Sequence, residues 1–168
     1  KGHAGFVLAE GAAVVVLERL SHARARGATP LAIVAGYGTS ADAYHLTSGS
    51  PDGAGAQVAM RQAIRMAGIT PDDIGYINAH ATSTEVGDNA EIAGIRNLFG
   101  DRGKSLAVSS TKSATGHLLG AAGAIEAVFC AKALATQTLP PTLNLDNPED
   151  IAAQFDLVPK VPEKKALK

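Results

Sequence analysis

An α/β domain with a largely buried sheet is the fold class this chain predicts, on three observations. Short apolar, β-branched runs alternate with longer segments of helical periodicity, the pattern that builds a sheet covered by helices. Glycine, proline and aspartate fall between those runs as turn signals. At 168 residues, 46% of them hydrophobic and 18% charged, there is enough chain and enough apolar side chain for one folded domain. No period of 20–50 residues marks a repeat architecture, and no low-complexity linker divides the chain.

Taken in order, residues 6–9 and 13–17 are β-branched or apolar runs on either side of Glu10 and Gly11, which predicts a strand pair. Ser21 is placed to cap a short helix stopped by Gly27. Residues 31–37 form the next expected strand, followed by a polar loop over 38–50. Asp52 and Gly53 open a helix to Ala67, with Ala56, Met60, Ala63 and Ala67 on one stripe and Gly68 as its stop. Residues 71–73 form a turn or a single helical turn. Residues 74–79 are a strand, 81–87 a loop, and 88–99 a helix. Residues 106–109 are a strand and 110–116 a loop. The apolar run 118–135 is a helix, Leu139 to Thr142 breaks the pattern, and residues 156–158 close it as an edge strand.

The run 118–135 approaches the length of about 20 residues that a membrane span needs. It is rich in alanine and glycine and carries Glu126 and Lys132, so a helix buried inside the protein is expected and no membrane span. A net charge of −1 provides no electrostatic footprint for nucleic acid. Cys130 is the single cysteine, which excludes an intrachain disulfide and fits a reducing compartment, the cytoplasm or alternatively the mitochondrial matrix. With no adjacent base, it reads as a small buried hydrophobe rather than a nucleophile.

Two segments carry chemistry. Residues 78–84, Asn-Ala-His-Ala-Thr-Ser-Thr, deliver His80 from the end of a strand into a loop holding Thr82 and Thr84. Ligands in open α/β sheets gather outside such carboxyl ends. Taken alone, His80 reads more readily as a core histidine, with Thr82 or Thr84 as a helix cap. Residues 109–117, Ser-Ser-Thr-Lys-Ser-Ala-Thr-Gly-His, then supply Lys112 and His117 just before the apolar helix. The helix start and the lysine both set positive potential at His117, favouring a ring that donates one N–H bond to developing negative charge. Gly116, Gly120 and Gly123 mark close backbone approach.

Asp88 and Glu91 are three residues apart on one helix and are expected either to hold Lys112 as counter-charges or to form a solvated face. Glu126, alone in an apolar helix, needs a partner: Lys112, backbone N–H groups or a cation. A role in a polar network is expected of it rather than direct catalysis. Neither histidine has an i, i+4 or Cys-x-x-Cys neighbour, so no metal site is expected. A Gly-x-Ser-x-Gly elbow is also absent from the sequence. His3 and His22 belong to no pattern.

On residues 5–12, 40–45, 78–84, 109–123 and 139–144 the chain resembles the elongating β-ketoacyl-acyl carrier protein synthases, the condensing enzymes of fatty acid synthesis. The resemblance runs through nearly the whole chain, and its motifs occur in the family's order. It implies the carboxy-terminal half of a thiolase-like layered α/β/α/β/α fold, residues 1–168 as a single partial domain, with 1–30 the end of the amino-terminal half.

By the same resemblance His80 and His117 are the two histidines that stabilise enolate and thioester oxyanion, Lys112 is the active-site lysine, and Thr82 and Thr84 bond the phosphopantetheine arm. That arm arrives on the acyl carrier protein, so no resident cofactor is expected. The carrier protein is the implied partner, and a homodimer the implied state of the full-length protein. Residues 42–47 resemble a mobile loop near the acyl pocket. The family's common His-Gly-Thr-Ser-Thr appears here with Ala81 in place of glycine. The nucleophilic cysteine and the final glycine- and phenylalanine-rich strand of the family lie outside this sequence, so the chain alone is expected to be inactive. A non-catalytic partner or chain-length subunit and a polyketide ketosynthase are the alternatives.

Overall fold

The computed structural model describes residues 2–168. Its centre is a βαβ unit. Strand β1 (Tyr76–Asn78) runs parallel to β2 (Ala107–Ser109), with Tyr76, Ile77 and Asn78 facing Ala107, Val108 and Ser109. Helix α3 (Glu85–Phe99) makes the crossover that a parallel pair requires. It turns Ile92, Ile95 and Phe99 inward against Leu106, Val108 and Phe155. Ile95 is 1% exposed and Phe155 and Leu106 are sealed off. The expected strand at 156–158 is reduced to a bridge: Asp156 pairs with Ala107, and its carbonyl accepts the Val108 N–H at 2.7 Å.

Helix α2 (Ala54–Ala67) lies on α3, and Met60 and Ile64 reach the same core while Ala56 stays exposed. The contact is close because glycine meets glycine. A Cβ on Gly53 would stand 2.4 Å from the Ala90 carbonyl oxygen and 2.8 Å from the Cα of Gly94, so Gly53 cannot carry a side chain, and one on Gly94 would be tight against the Gly53 carbonyl at 3.0 Å. Residues 71–73 form one 3₁₀ turn, closed by a reciprocal Thr70–Asp73 capping box.

After β2 come a single helical turn, α4 (Lys112–Thr115), and a 3₁₀ turn at Leu119–Ala121. Helix α5 (Ala122–Thr136) follows. A second, two-stranded antiparallel sheet pairs β3 (Thr138–Leu139) with β4 (Glu163–Lys164) and covers a small core of Ala107, Ala133, Leu139 and Val158. The sequence pattern did not indicate β4, which is polar and two residues long. The short helix α1 (Leu20–Ala25) is entered from Arg19, with Ser21 inside its first turn instead of capping it.

Two expectations are overturned. Residues 6–9, 13–17 and 31–37 form no strand, and among the described residues they join no ladder beyond one bridge from Leu8 to His117. A strand exists only when a neighbouring edge takes its N–H and C=O groups, and here only Val7 and Ala9 find one, on either side of His117. Val14 and Val16 are each 88% exposed, and Leu31 and Val34 nearly as much. Helix α5 is likewise not the buried helix its composition implies: only Ala122 and Ala133 are enclosed. By length and composition Leu119–Thr136 passes as a membrane-crossing stretch, and 11% of it is buried. Glu126 within it is tied to Lys112, however, a pairing that places charge at the inner face of the helix against protein.

Such contiguous apolar surface binds hydrophobic dyes. The 168-residue polypeptide on its own is expected to enhance 8-anilinonaphthalene-1-sulfonate fluorescence strongly, and Val14→Asp with Val16→Asp to reduce the signal. A response no greater than that of a compact globular control would show that these segments are covered.

Candidate active site

Both histidines emerge where the parallel strands end. His80 follows β1 by two residues. Its backbone is held from α3, where Glu91 accepts the His80 N–H on one carboxylate oxygen and the Ala81 N–H on the other, each at 2.8 Å. Asp88 accepts the Thr82 N–H at 3.0 Å. Acids in the first turns of a helix face the amides of the loop that enters it, and this proximity settles their partners.

The expectation that Asp88 and Glu91 hold Lys112 is therefore corrected: they hold the His80 loop. Lys112, its side chain 4% exposed, pairs instead with Glu126, reaching across from α4 to α5. Burial raises the Glu91 carboxyl above the usual carboxylate range, against the two amides that lower it.

His117 follows Gly116, whose φ of +73° and close approach to residues 7–9 exclude a side chain. A Cβ there would lie 2.8 Å from Ala9 Cβ and 2.9 Å from the Val7 carbonyl oxygen. Gly120 and Gly123 meet no such neighbour, so the expectation of close approach holds for Gly116 alone. The extended segment 5–9 binds both loops: Gly5 N–H donates to the Ser83 carbonyl at 2.8 Å, and Val7 and Ala9 bracket His117 through its own N–H and C=O at 2.8 and 3.0 Å. The Leu119 N–H donates to His117 Nδ1 at 3.2 Å, so the neutral ring carries its proton on Nε2, free to donate. Helix α5 starts five residues beyond His117, later than the sequence suggested, with the 3₁₀ turn between them.

The two imidazoles meet edge to face, ring centroids 5.1 Å apart at 87°, and Phe6 also meets His117 edge to face at 5.2 Å. Burial lowers the His80 pKa below its ordinary 6.5, and the Lys112 ammonium and His117 lower it further against Glu126 and Asp88. A ring whose folded pKa lies below its unfolded value contributes stability above about pH 6.5 that is lost as the pH falls. A histidine NMR titration is expected to place the His80 midpoint below 6.5. A midpoint at or above 6.5 would mean that the ring is neither desolvated nor close to the Lys112 ammonium.

A cavity of about 550 Å³ extends from His117 and Lys112 past Thr82 and Asp88 to Thr142 and the 143–149 segment. His80 faces a smaller neighbouring cleft of about 220 Å³ beside Asp88 and Glu91. Thr82 Oγ1 stands 3.1 Å from Thr84 Oγ1, and Thr84 is the entry residue of α3 without capping it through its side chain. Asp42, in the expected mobile loop, accepts the Ser50 N–H at 3.2 Å.

Sequence reasoning missed His3, whose Nδ1 lies 3.4 Å from Asp88 and whose Nε2 lies 3.1 Å from Glu149; nothing near it in sequence signals that pairing. Also missed was the hydroxyl network behind the site, where Tyr76, Asn78, Ser109 and Thr111 are joined at 3.0–3.4 Å. Burial pushes the Tyr76 phenol up to about 12. Cys130 is half-buried, and burial and Glu126 raise its thiol, the opposite of what a nucleophile needs. Among the described residues no group of three or more His, Cys, Asp or Glu side chains is arranged to hold a metal.

The fold and this two-histidine, one-lysine cluster define a class, the thiolase-like α/β proteins of the ketosynthase type. Residues 31–146 match the family model described as "Beta-ketoacyl synthase, C-terminal domain", and the chain belongs to that family. It is similar to 3-oxoacyl-[acyl-carrier-protein] synthase 2 of Vibrio cholerae, 54% identical over 165 residues, which are 98% of this chain and 40% of the relative.

Among solved structures it superposes on an ishigamide ketosynthase/chain length factor with a TM-score of 0.91 at 36% identity, over 98% of this chain and 40% of the other. A type II polyketide acyl-carrier protein in complex with its ketosynthase matches with a TM-score of 0.85 at 34% identity, over 90% of this chain and 37% of that one. The chain spans about 40% of the length of such relatives. Its fold is the carboxy-terminal part of their layered α/β architecture, as the sequence implied.

Proposed function

We propose that this chain is the histidine- and lysine-bearing part of a 3-oxoacyl-[acyl-carrier-protein] synthase of fatty acid biosynthesis, an acyltransferase performing decarboxylative Claisen condensation. The observation that carries the reading is the edge-to-face His80–His117 pair beside the buried Lys112–Glu126 pair. Two N–H donors beside a fixed positive charge suit an oxyanion that forms in a partly water-excluded site.

In the proposed reaction an acyl group is held as a thioester on a cysteine outside these 168 residues, since Cys130 is unsuited. The bond between the malonyl α-carbon and its carboxylate breaks, carbon dioxide leaves, and the electron pair moves onto the thioester oxygen as an enolate. The α-carbon then attacks the acyl carbonyl carbon, and the tetrahedral oxyanion collapses with expulsion of the cysteine thiolate. His80 and His117 donate to the oxygens that become negative, and Lys112 stabilises that charge through space. Thr82, on the cavity wall, and Thr84 behind it bond the phosphopantetheine arm, which comes with an acyl carrier protein. The name of one structural neighbour, a carrier protein bound to its ketosynthase, supports that partner. The full-length protein is proposed to be a homodimer.

A second reading, a polyketide ketosynthase or its non-catalytic chain-length partner, draws on the ketosynthase/chain length factor among the neighbours. The presence of His80, Lys112 and His117 in one cluster weighs against a partner without chemistry. The test is a chimera in which this sequence replaces the matching 165 residues of the Vibrio cholerae synthase, to which it is 54% identical. The chimera is expected to condense acyl- and malonyl-carrier protein. A folded chimera that is acylated but forms no 3-oxoacyl product would favour the non-catalytic reading.

A further inference from the structure

The backbone ladder between β1 and β2 ends at the Ala79 N–H, which donates to the Ser109 carbonyl at 2.8 Å. The two chemically important loops diverge from there, one toward His80 and the other toward Lys112 and His117. One side chain continues the ladder past its last rung. Ser110 Oγ donates to the Ala81 carbonyl at 2.8 Å, one residue beyond His80. The Ser110 N–H donates to Thr142 Oγ1 at 3.1 Å, and its carbonyl accepts the Ser113 hydroxyl at 2.8 Å. Ser110 is 4% exposed, so its hydroxyl, amide and carbonyl are all spent on protein. The residue that ties down the His80 loop is thus itself anchored through both its amide and its carbonyl, two residues before Lys112.

We propose that Ser110 is a positioning residue, whose hydroxyl fixes the His80 loop against the strand end that carries Lys112; this rests on reading His80 and Lys112 as parts of one site. The geometry is a clamp. Glu91 takes the N–H groups of His80 and Ala81 from the α3 side, and Ser110 takes the Ala81 carbonyl from the β2 side. With three successive peptide units from Ala79 to Thr82 held, two from the α3 side and one from the β2 side, the His80 ring has little freedom to move away from His117. Without the Ser110 hydroxyl the Ala81 carbonyl loses its protein donor, and the loop can satisfy it only by moving toward water.

The groups that face His80 are Lys112, His117, Glu126 and Asp88, with Glu91 on its backbone. Outward movement removes burial and distance-dependent repulsion from Lys112 together, and both changes favour the protonated ring. The predicted displacement therefore has a definite sign.

The test is the pH dependence of His80 modification by diethyl pyrocarbonate, which reacts with the unprotonated ring, followed by peptide mass spectrometry. It is made on the full 168-residue chain and on the chimera. Ser110→Ala is expected to raise the His80 midpoint by about 0.5 unit or more, roughly a threefold gain in proton affinity. Ser110→Thr, which keeps the donor, is expected to restore the original midpoint.

Should Ser110→Ala fail to fold, Ser110→Cys decides, since it retains the approximate volume with a weaker donor and is expected to shift the midpoint the same way by less. A folded Ser110→Ala or Ser110→Cys protein with an unshifted His80 midpoint overturns the proposal. The reading involves no turnover, so an inactive chimera would count against the proposed function and leave this result standing.

Discussion

Glu126→Ala in the chimeric synthase is expected to destabilise the fold by about 3–5 kcal/mol, read as a large fall in the urea midpoint, and to abolish condensation. The Lys112 side chain is 4% exposed and that of Glu126 18%, so the ammonium left behind has neither carboxylate nor bulk water. The cost arises mainly from that stranded charge. A buried pair often contributes little over an apolar replacement, because both groups must first be desolvated.

The double variant Lys112→Met, Glu126→Leu tests this directly. It should recover most of the lost stability, while condensation stays at the level of the single variant because the positive potential at the oxyanion is gone. A double variant as unstable as Glu126→Ala would mean that the pair contributes through packing. A double variant with restored turnover would remove Lys112 from the chemistry.

The same pair shows how far the sequence reaches. A lone acid in an apolar helix announced that Glu126 needed a partner, and Lys112 was among those considered; fourteen residues of separation could not choose between them. The spacing of Asp88 and Glu91 places them on one face of α3, which fits either counter-charges for Lys112 or a solvated face. The deciding fact was local: the amides of residues 80–82 lie beside the start of that helix and claim both carboxylates.

Helices α2 and α3 were legible because their periodicity and flanking glycines are properties of the segments themselves. β1 and β2 were legible for the same reason, as short apolar runs between turn residues. The expected strands at 6–9, 13–17 and 31–37 were not realised, since a strand is a property of two segments, and apolar composition cannot supply the second. Helix α5 fails in the same manner. Uniform apolarity indicates that a helix should be covered, and only its contacts tell by what. His3 was invisible because its partners lie 85 and 146 residues away.

His117→Ala, in turn, is expected to lower kcat of the chimera by about 10²–10³, with little change in KM for malonyl-carrier protein. The distinction follows from when the contact forms. The Leu119 N–H occupies Nδ1, leaving Nε2–H as the donor, and a neutral thioester oxygen accepts it weakly. Only when the oxygen becomes negative does the bond strengthen, so its loss is felt in the transition state more than in binding.

His80→Ala is expected to behave alike on the proposed mechanism, since the rings are 5.1 Å apart and the cleft beside His80 adjoins the cavity that His117 lines. The double variant should then lose less than the product of the two single effects, because groups that act as a unit are not additive. Two full, multiplying losses would instead assign the histidines to separate steps, one to the enolate and one to the tetrahedral oxyanion. A rise in KM at constant kcat would be incompatible with either assignment, because it would make His117 a group that binds substrate and transition state equally.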